Sequence, residues 1–118
     1  MEIKKLIHVN ELLDIYGNLL TPKQKDAMQL YYQENLSFGE IGEELGISRQ
    51  AAYDTIKKSE NLLYSYEDNL NIQKMQNDIQ DFKNNVAEKL LMFKEKYNVN
   101  NEQLIDLRDI IKLCEESK

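Results

Sequence analysis

One proline, four glycines, one cysteine and no tryptophan occur in 118 residues, and each scarcity excludes something. A lone cysteine, Cys114, forms no intramolecular disulfide and leaves no thiolate cluster for a structural metal. It reads as a small buried apolar thiol. With so few breakers, and with Leu, Ile, Glu, Lys, Gln and Asn dominating, the composition favours helix throughout. No apolar run approaches the roughly 20 residues that cross a bilayer. The opening MEIKKLIHVNELLDIYG also lacks the apolar core and small-residue cleavage site of a secretory leader. A cytoplasmic protein with no membrane segment is expected.

Positive charge is scarce as well. The chain carries a net charge of -6, which argues against tight, sequence-independent binding to nucleic acid, since that relies on many Lys and Arg contacts to phosphate. Residues 1–66 hold seven basic and ten acidic side chains, and residues 67–118 hold eight and eleven. Neither half is basic, so any nucleic-acid contact must come from a local patch.

What is present is helical periodicity. From Ile3 to Leu20 apolar residues recur at three- and four-residue steps, the mark of an amphipathic helix. It stops at LLTPKQ, where Thr21 can cap a second helix, Pro22 suits its first turn and Gln24 completes a capping box; that helix should run to about Gln33. In NLSFGEIGEELG the punctuation repeats: Ser37 caps, Glu40 follows three positions on, and Gly46 supplies a left-handed stop. A helix of about two turns results. ISRQ then starts a longer one, capped by Ser48, with no breaker before Asn69. Short helix, tight turn and longer helix outline a helix-turn-helix.

Such a motif makes fixed demands. Ile41 and Leu45 point the short helix inward, Gly42 permits close approach, Gly46 takes the turn, Ile47 plugs the space beneath, and Ala52 and Ile56 give the second helix its inner face. Outward then lie Arg49, Gln50, Tyr53 and Asp54, with Lys57 and Lys58 a turn later. In this design the start of the second helix approaches base edges, where Arg suits guanine and Gln suits adenine. Ser48 would cap the helix and present its first amides to a phosphate.

The stretch LTPKQKDAMQLYYQENLSFGEIGEELGISRQAAYDTIKKSENLL, residues 20–63, resembles region 4 of bacterial sigma factors, which reads promoter DNA through a helix-turn-helix. Ile41, Gly42, Leu45, Ile47, Ser48 and Arg49 match that pattern, as do LTPKQ and the pair Tyr31 and Tyr32. It departs after Arg49, where Gln50, Ala51, Tyr53 and Asp54 precede Lys57 and Lys58. No counterpart of the sigma segments that bind core polymerase or melt DNA is present, so a full sigma activity is not expected. With ISRQAAYDTIKKSE and its long helical tail, the chain more specifically resembles the YlxM family, helix-turn-helix proteins of Gram-positive bacteria. That resemblance implies a gene neighbourhood shared with the signal recognition particle and its receptor, and a regulatory or accessory role in that pathway.

Beyond Tyr66 the pattern narrows. Met75, Ile79, Phe82, Val86, Leu90, Phe93 and Tyr97 form a thin apolar stripe, closer to a coiled-coil seam than to a globular core face. After NVNN, where Asn100 with Gln103, or Asn101, can cap, a last helix carries the broader face of Leu104, Ile105, Leu107, Ile110, Ile111, Leu113 and Cys114. Residues 71–97 folding back on 102–116 is the simplest arrangement. The seam outruns the last helix, leaving apolar surface for a partner or for a second copy, and a homodimer through the C-terminal helices is expected.

Enzymatic chemistry finds no footing. The single histidine, His8, has no nucleophile or acid placed by sequence to work with it, and no phosphate-binding glycine loop or metal-ligand spacing occurs. Adjacent acids such as Glu43 and Glu44 diverge by about 100° on a helix. The expectation is therefore an all-α, non-enzymatic protein without cofactor or metal: a helix-turn-helix domain (1–66) of the sigma region 4 type, followed by a long helical hairpin or coiled-coil-like tail (67–118). Its function is expected to be DNA-binding regulation through Ser48, Arg49, Gln50, Tyr53, Asp54, Lys57 and Lys58, with duplex DNA as the first candidate partner. The alternative is an interaction protein that associates with signal recognition particle protein or RNA.

Overall fold

A computed structural model of the chain describes residues 2–115; position 116 of the expected last helix lies outside the described residues. The fold is all-α, and its elements in order are α1 (Ile3–Tyr16), a 3-10 turn (Gly17–Leu19), α2 (Pro22–Tyr32), α3 (Phe38–Leu45), α4 (Arg49–Leu70), α5 (Ile72–Lys96) and α6 (Asn101–Glu115). Two compact units divide between Gln73 and Lys74.

In the first unit, side-chain caps set the helix starts. Thr21 Oγ1 accepts from the Gln24 amide at 3.2 Å while Gln24 Oε1 accepts from the Thr21 amide at 3.0 Å. Ser37 and Glu40 repeat this reciprocal box at 3.1 and 3.0 Å. Each box satisfies two amides that the helix itself leaves orphaned. The expectation of one helix from Ile3 to Leu20 is corrected: α1 closes at Tyr16 and the chain tightens into the 3-10 turn. This turn brings Leu20, in extended backbone, into the core, which a continuing α-helix would aim elsewhere.

Val9, Leu12, Leu13 and Tyr16 of α1, Ala27, Met28 and Tyr32 of α2, Ile41 of α3, and Ala52, Ile56 and Leu63 of α4 make one buried cluster. Leu45, Ile47 and Tyr31 pack on it partly buried. Polar groups close its lower edge. The Tyr16 hydroxyl donates to Glu67 Oε1 at 2.7 Å and accepts from the Ile72 amide at 3.2 Å. Gln73 donates from its amide to Glu67 at 2.9 Å and from its side chain to Glu11 at 2.8 Å. Asn71, in the left-handed region at φ 55°, ends α4 ahead of this clasp.

The second unit is a helical tail made of most of α5 and of α6, joined through residues 97–100. Of the two caps left open by the sequence, Asn100 begins α6: its Oδ1 accepts from the Gln103 amide at 2.8 Å, and Gln103 Oε1 accepts in return at 3.0 Å. Phe93 and Tyr97 near the end of α5 and Leu107 and Ile110 of α6 line one groove. Folding back covers less of the seam than the sequence suggests. Val86 and Leu90 are half-buried, whereas Met75, Ile79, Phe82, Phe93 and Tyr97 are exposed. Among the described residues of this unit, Leu107 alone is buried. Among the described residues no helix is long and apolar enough to cross a membrane.

Candidate nucleic-acid interface

The turn between α3 and α4 is tight because two glycines make it so. A Cβ on Gly42 would lie 2.7 Å from the Ile47 carbonyl oxygen and 3.2 Å from Ser48 backbone atoms, so the buried middle of α3 touches the turn's own backbone. Gly46 sits at φ 69°, a conformation that costs an L side chain roughly 1–2 kcal/mol. Its amide and that of Ile47 return to Gly42 and Glu43 carbonyls, a glycine stop of the kind that satisfies orphaned helix carbonyls. Two residues later Ser48 Oγ accepts from the Ala51 amide at 3.0 Å and opens α4.

This geometry places Ser48, Arg49, Gln50, Tyr53, Asp54, Lys57 and Lys58 on the surface, all exposed, while Ala52 and Ile56 between them are buried at the core. The seven are not equivalent. Arg49 and Lys58 have no ion-pair partner among the described residues. Gln50 Nε2 is engaged, donating to Asp54 Oδ1 at 3.0 Å one turn on. Lys57 is engaged twice, with its Nζ 3.6 Å from Glu60 Oε2 and 5.7 Å from the centre of the Tyr53 ring.

Tyr53 itself, 40% exposed, ends a row of rings. Tyr31 stacks on Phe38 at 5.0 Å between centroids, and Phe38 meets Tyr53 edge-on at 5.2 Å. Such pairs add about 0.5–1.5 kcal/mol beyond the area they bury, and here they fix the only aromatic side chain on the outer face of α4's first turns. The sequence pattern turned Tyr53 outward but did not show its link to Tyr31 through Phe38.

Sequence reasoning also passed over Glu60. This carboxylate is buried, accepts a hydrogen bond from the Tyr32 hydroxyl, and has Lys5 of α1 at 3.9 Å besides Lys57. Burial first, and then the bond to Glu60, pushes the Tyr32 hydroxyl well above its ordinary range, so it stays protonated and donating. Nothing in a single sequence distinguishes Glu60 from the many surface acids, since its partners lie on three helices.

Acids surround the patch in sequence. Glu40, Glu43 and Glu44 of α3 are exposed. The amide of Ser37 holds the Glu40 carboxyl below its ordinary value, so it is charged at neutral pH. His8 stacks against Tyr64 at 5.9 Å, and among the described residues no group of three His, Cys, Asp or Glu side chains is placed to hold a metal ion.

Residues 3–110 match the family described as "Putative helix-turn-helix protein, YlxM / p13 like", UPF0122. The chain is 39% identical to the UPF0122 protein YofM of Lactococcus lactis, over 98% of each chain. It is 38% identical to a UPF0122 protein of Clostridium kluyveri, over 88% of this chain and 91% of the other. A UPF0122 protein of Pediococcus pentosaceus is 51% identical over 72 residues, which span 61% of this chain and 64% of that protein.

Proposed function

The chain belongs to the YlxM / p13-like family of helix-turn-helix proteins, and from that premise we propose that it is a cytoplasmic regulator that binds duplex DNA through the start of α4. One observation carries this reading: a sharply built turn delivers an exposed, unpaired Arg49 at the first position of a serine-capped helix. The amides ahead of Ala51, which the Ser48 cap does not take, suit a phosphate, and Arg49 suits guanine in a major groove. Lys58 holds phosphate, Lys57 does so after leaving Glu60, and Gln50 reads a base only after leaving Asp54. Asp54 and Tyr53 shape the face, the first by repelling phosphate on its side. A homodimer through the C-terminal helices belongs to this reading, since paired recognition helices gain affinity for paired half-sites.

The test is fluorescence anisotropy on a mixed-sequence duplex pool at low salt, followed by selection of a preferred site. Arg49→Ala is expected to weaken binding to that site by about 1–3 kcal/mol and to relax its preference. Superimposable curves for wild type and variant sink the assignment.

A second reading is favoured by the exposed acids Glu40, Glu43, Glu44 and Asp54 beside the patch. The helix-turn-helix then serves as a scaffold whose partner is a protein or RNA component of the signal recognition particle. Failure to bind any duplex at low salt, together with co-purification of such a component from cell extract, selects it.

A further inference from the structure

The seam of α5 has an internal repeat. Met75, Ile79 and Phe82 recur eleven residues on as Val86, Leu90 and Phe93, and Tyr97 opens a third round. An eleven-residue repeat averages about 3.67 residues per turn, close to the natural winding of an α-helix, so the stripe stays on one face along the whole of α5. The two rounds meet different fates. α6 has 15 residues against 25 in α5. At roughly 1.5 Å per residue, α6 is too short to reach back along α5 beyond about the start of the second round. The second round is partly covered, with Val86 and Leu90 half-buried. The first stands open, with Met75 57%, Ile79 54% and Phe82 68% exposed.

We infer that the first round is where two copies of this chain pair, with their α5 helices parallel and in register. This deepens the homodimer reading above by naming the face and the direction. Three features select a second copy. First, nine large apolar side chains stand exposed on α5 and α6, with Tyr97 just beyond the end of α5, a clustering of the kind that marks an interaction surface. Second, the stripe is self-complementary: a long side chain, a β-branched one and a ring at 4- and 3-residue steps, the spacing at which seam residues of two helices interlock.

Third, the flanks carry charges in the order a parallel pair uses. Asp78 precedes Ile79 and Lys83 follows Phe82, five residues apart, so in a parallel pair Asp78 of each copy faces Lys83 of the other. An antiparallel pair sets the Asp78 edge against itself and forms no such bridge. Within the chain Asp78 is bonded to Lys74 at 3.3 Å, an exposed pair worth at most about 1 kcal/mol and easily exchanged. Because each α5 begins where its first unit ends, parallel pairing brings the two first units to the same end of the helix pair.

The test is sedimentation equilibrium of the full chain with Phe82→Glu beside wild type, and circular dichroism to confirm equal helicity. Wild type is expected at twice the chain mass, and Phe82→Glu to weaken association by about tenfold or more. Direction is read from Met75→Cys combined with Cys114→Ser. Position 75 meets its counterpart only in a parallel pair, so mild oxidation is expected to give a covalent dimer. A wild-type monomer at micromolar concentration overturns the pairing and the homodimer reading with it. A dimer indifferent to Phe82→Glu overturns the face alone, and failure to cross-link at position 75 in a dimer sensitive to Phe82→Glu overturns the direction. None of these outcomes touches DNA binding through Arg49, which is read by anisotropy.

Discussion

The two units are both made of amphipathic helices, yet they close differently. In the first, four helices bring their apolar faces together around Tyr16, Met28, Ile41, Ile56 and Leu63, and polar side chains seal the edges. In the second, most of the large apolar side chains of its two helices stay in solvent. A helix with an apolar stripe is not stabilised by the stripe itself but by what removes it from water. The first unit therefore owes its stability to its own packing, while the second needs further cover.

Truncating one leucine in each unit breaks the comparison most sharply. Leu63→Ala empties a fully buried site and is expected to cost about 2–5 kcal/mol in urea unfolding followed at 222 nm. Leu113→Ala, at an exposed position of α6, should fall within about 0.5 kcal/mol of wild type. Equal losses would show that the second unit hides a core of its own.

A smaller effect probes whether the first unit is as tight at its turn as at its centre. Gly42→Ala pushes a methyl against the Ile47 carbonyl and should cost about 1–3 kcal/mol as overpacking, despite alanine's better helix propensity. A neutral or stabilising result would mean that the turn yields.

The third prediction uses pH. Tyr16 and Tyr32 have hydroxyls raised above the ordinary value of 10.0, both chiefly by burial, so the folded state holds their protons more tightly than the unfolded state. Their contribution is complete below pH 10 and is lost as pH rises above it toward the folded values, by up to about 1.4 kcal/mol per pH unit for each tyrosine. Tyr32→Phe should make the alkaline fall shallower. An unchanged slope would assign it to other groups.

How much of this was legible in the sequence depended on range. Thr21 with Gln24, Ser37 with Glu40, and Ser48 ahead of α4 act over three residues, so their helices could be placed from spacing alone. Gly42 and Gly46 were legible because the turn tolerates little else. The end of α1 was not, since Tyr16, Gly17 and Leu19 fit a helical period as well as the 3-10 turn that seats Leu20. Nor was Glu60, whose partners Lys5 and Tyr32 come from distant helices. In the tail, periodicity showed the stripe from Met75 to Tyr97, but the depth of cover on each residue depends on where α6 lies, and that is a matter of packing.

Glu60 has one more consequence, for how Lys57 can be used. A phosphate taken up by Lys57 does not add to an idle cation; it displaces a carboxylate that is buried and cannot rehydrate freely. Phosphate uptake there would be an exchange reaction that leaves Glu60 with Lys5 of α1 and the Tyr32 hydroxyl of α2. Through that one carboxylate, occupancy on the outer face of α4 would be thermodynamically linked to the grip between α1, α2 and α4.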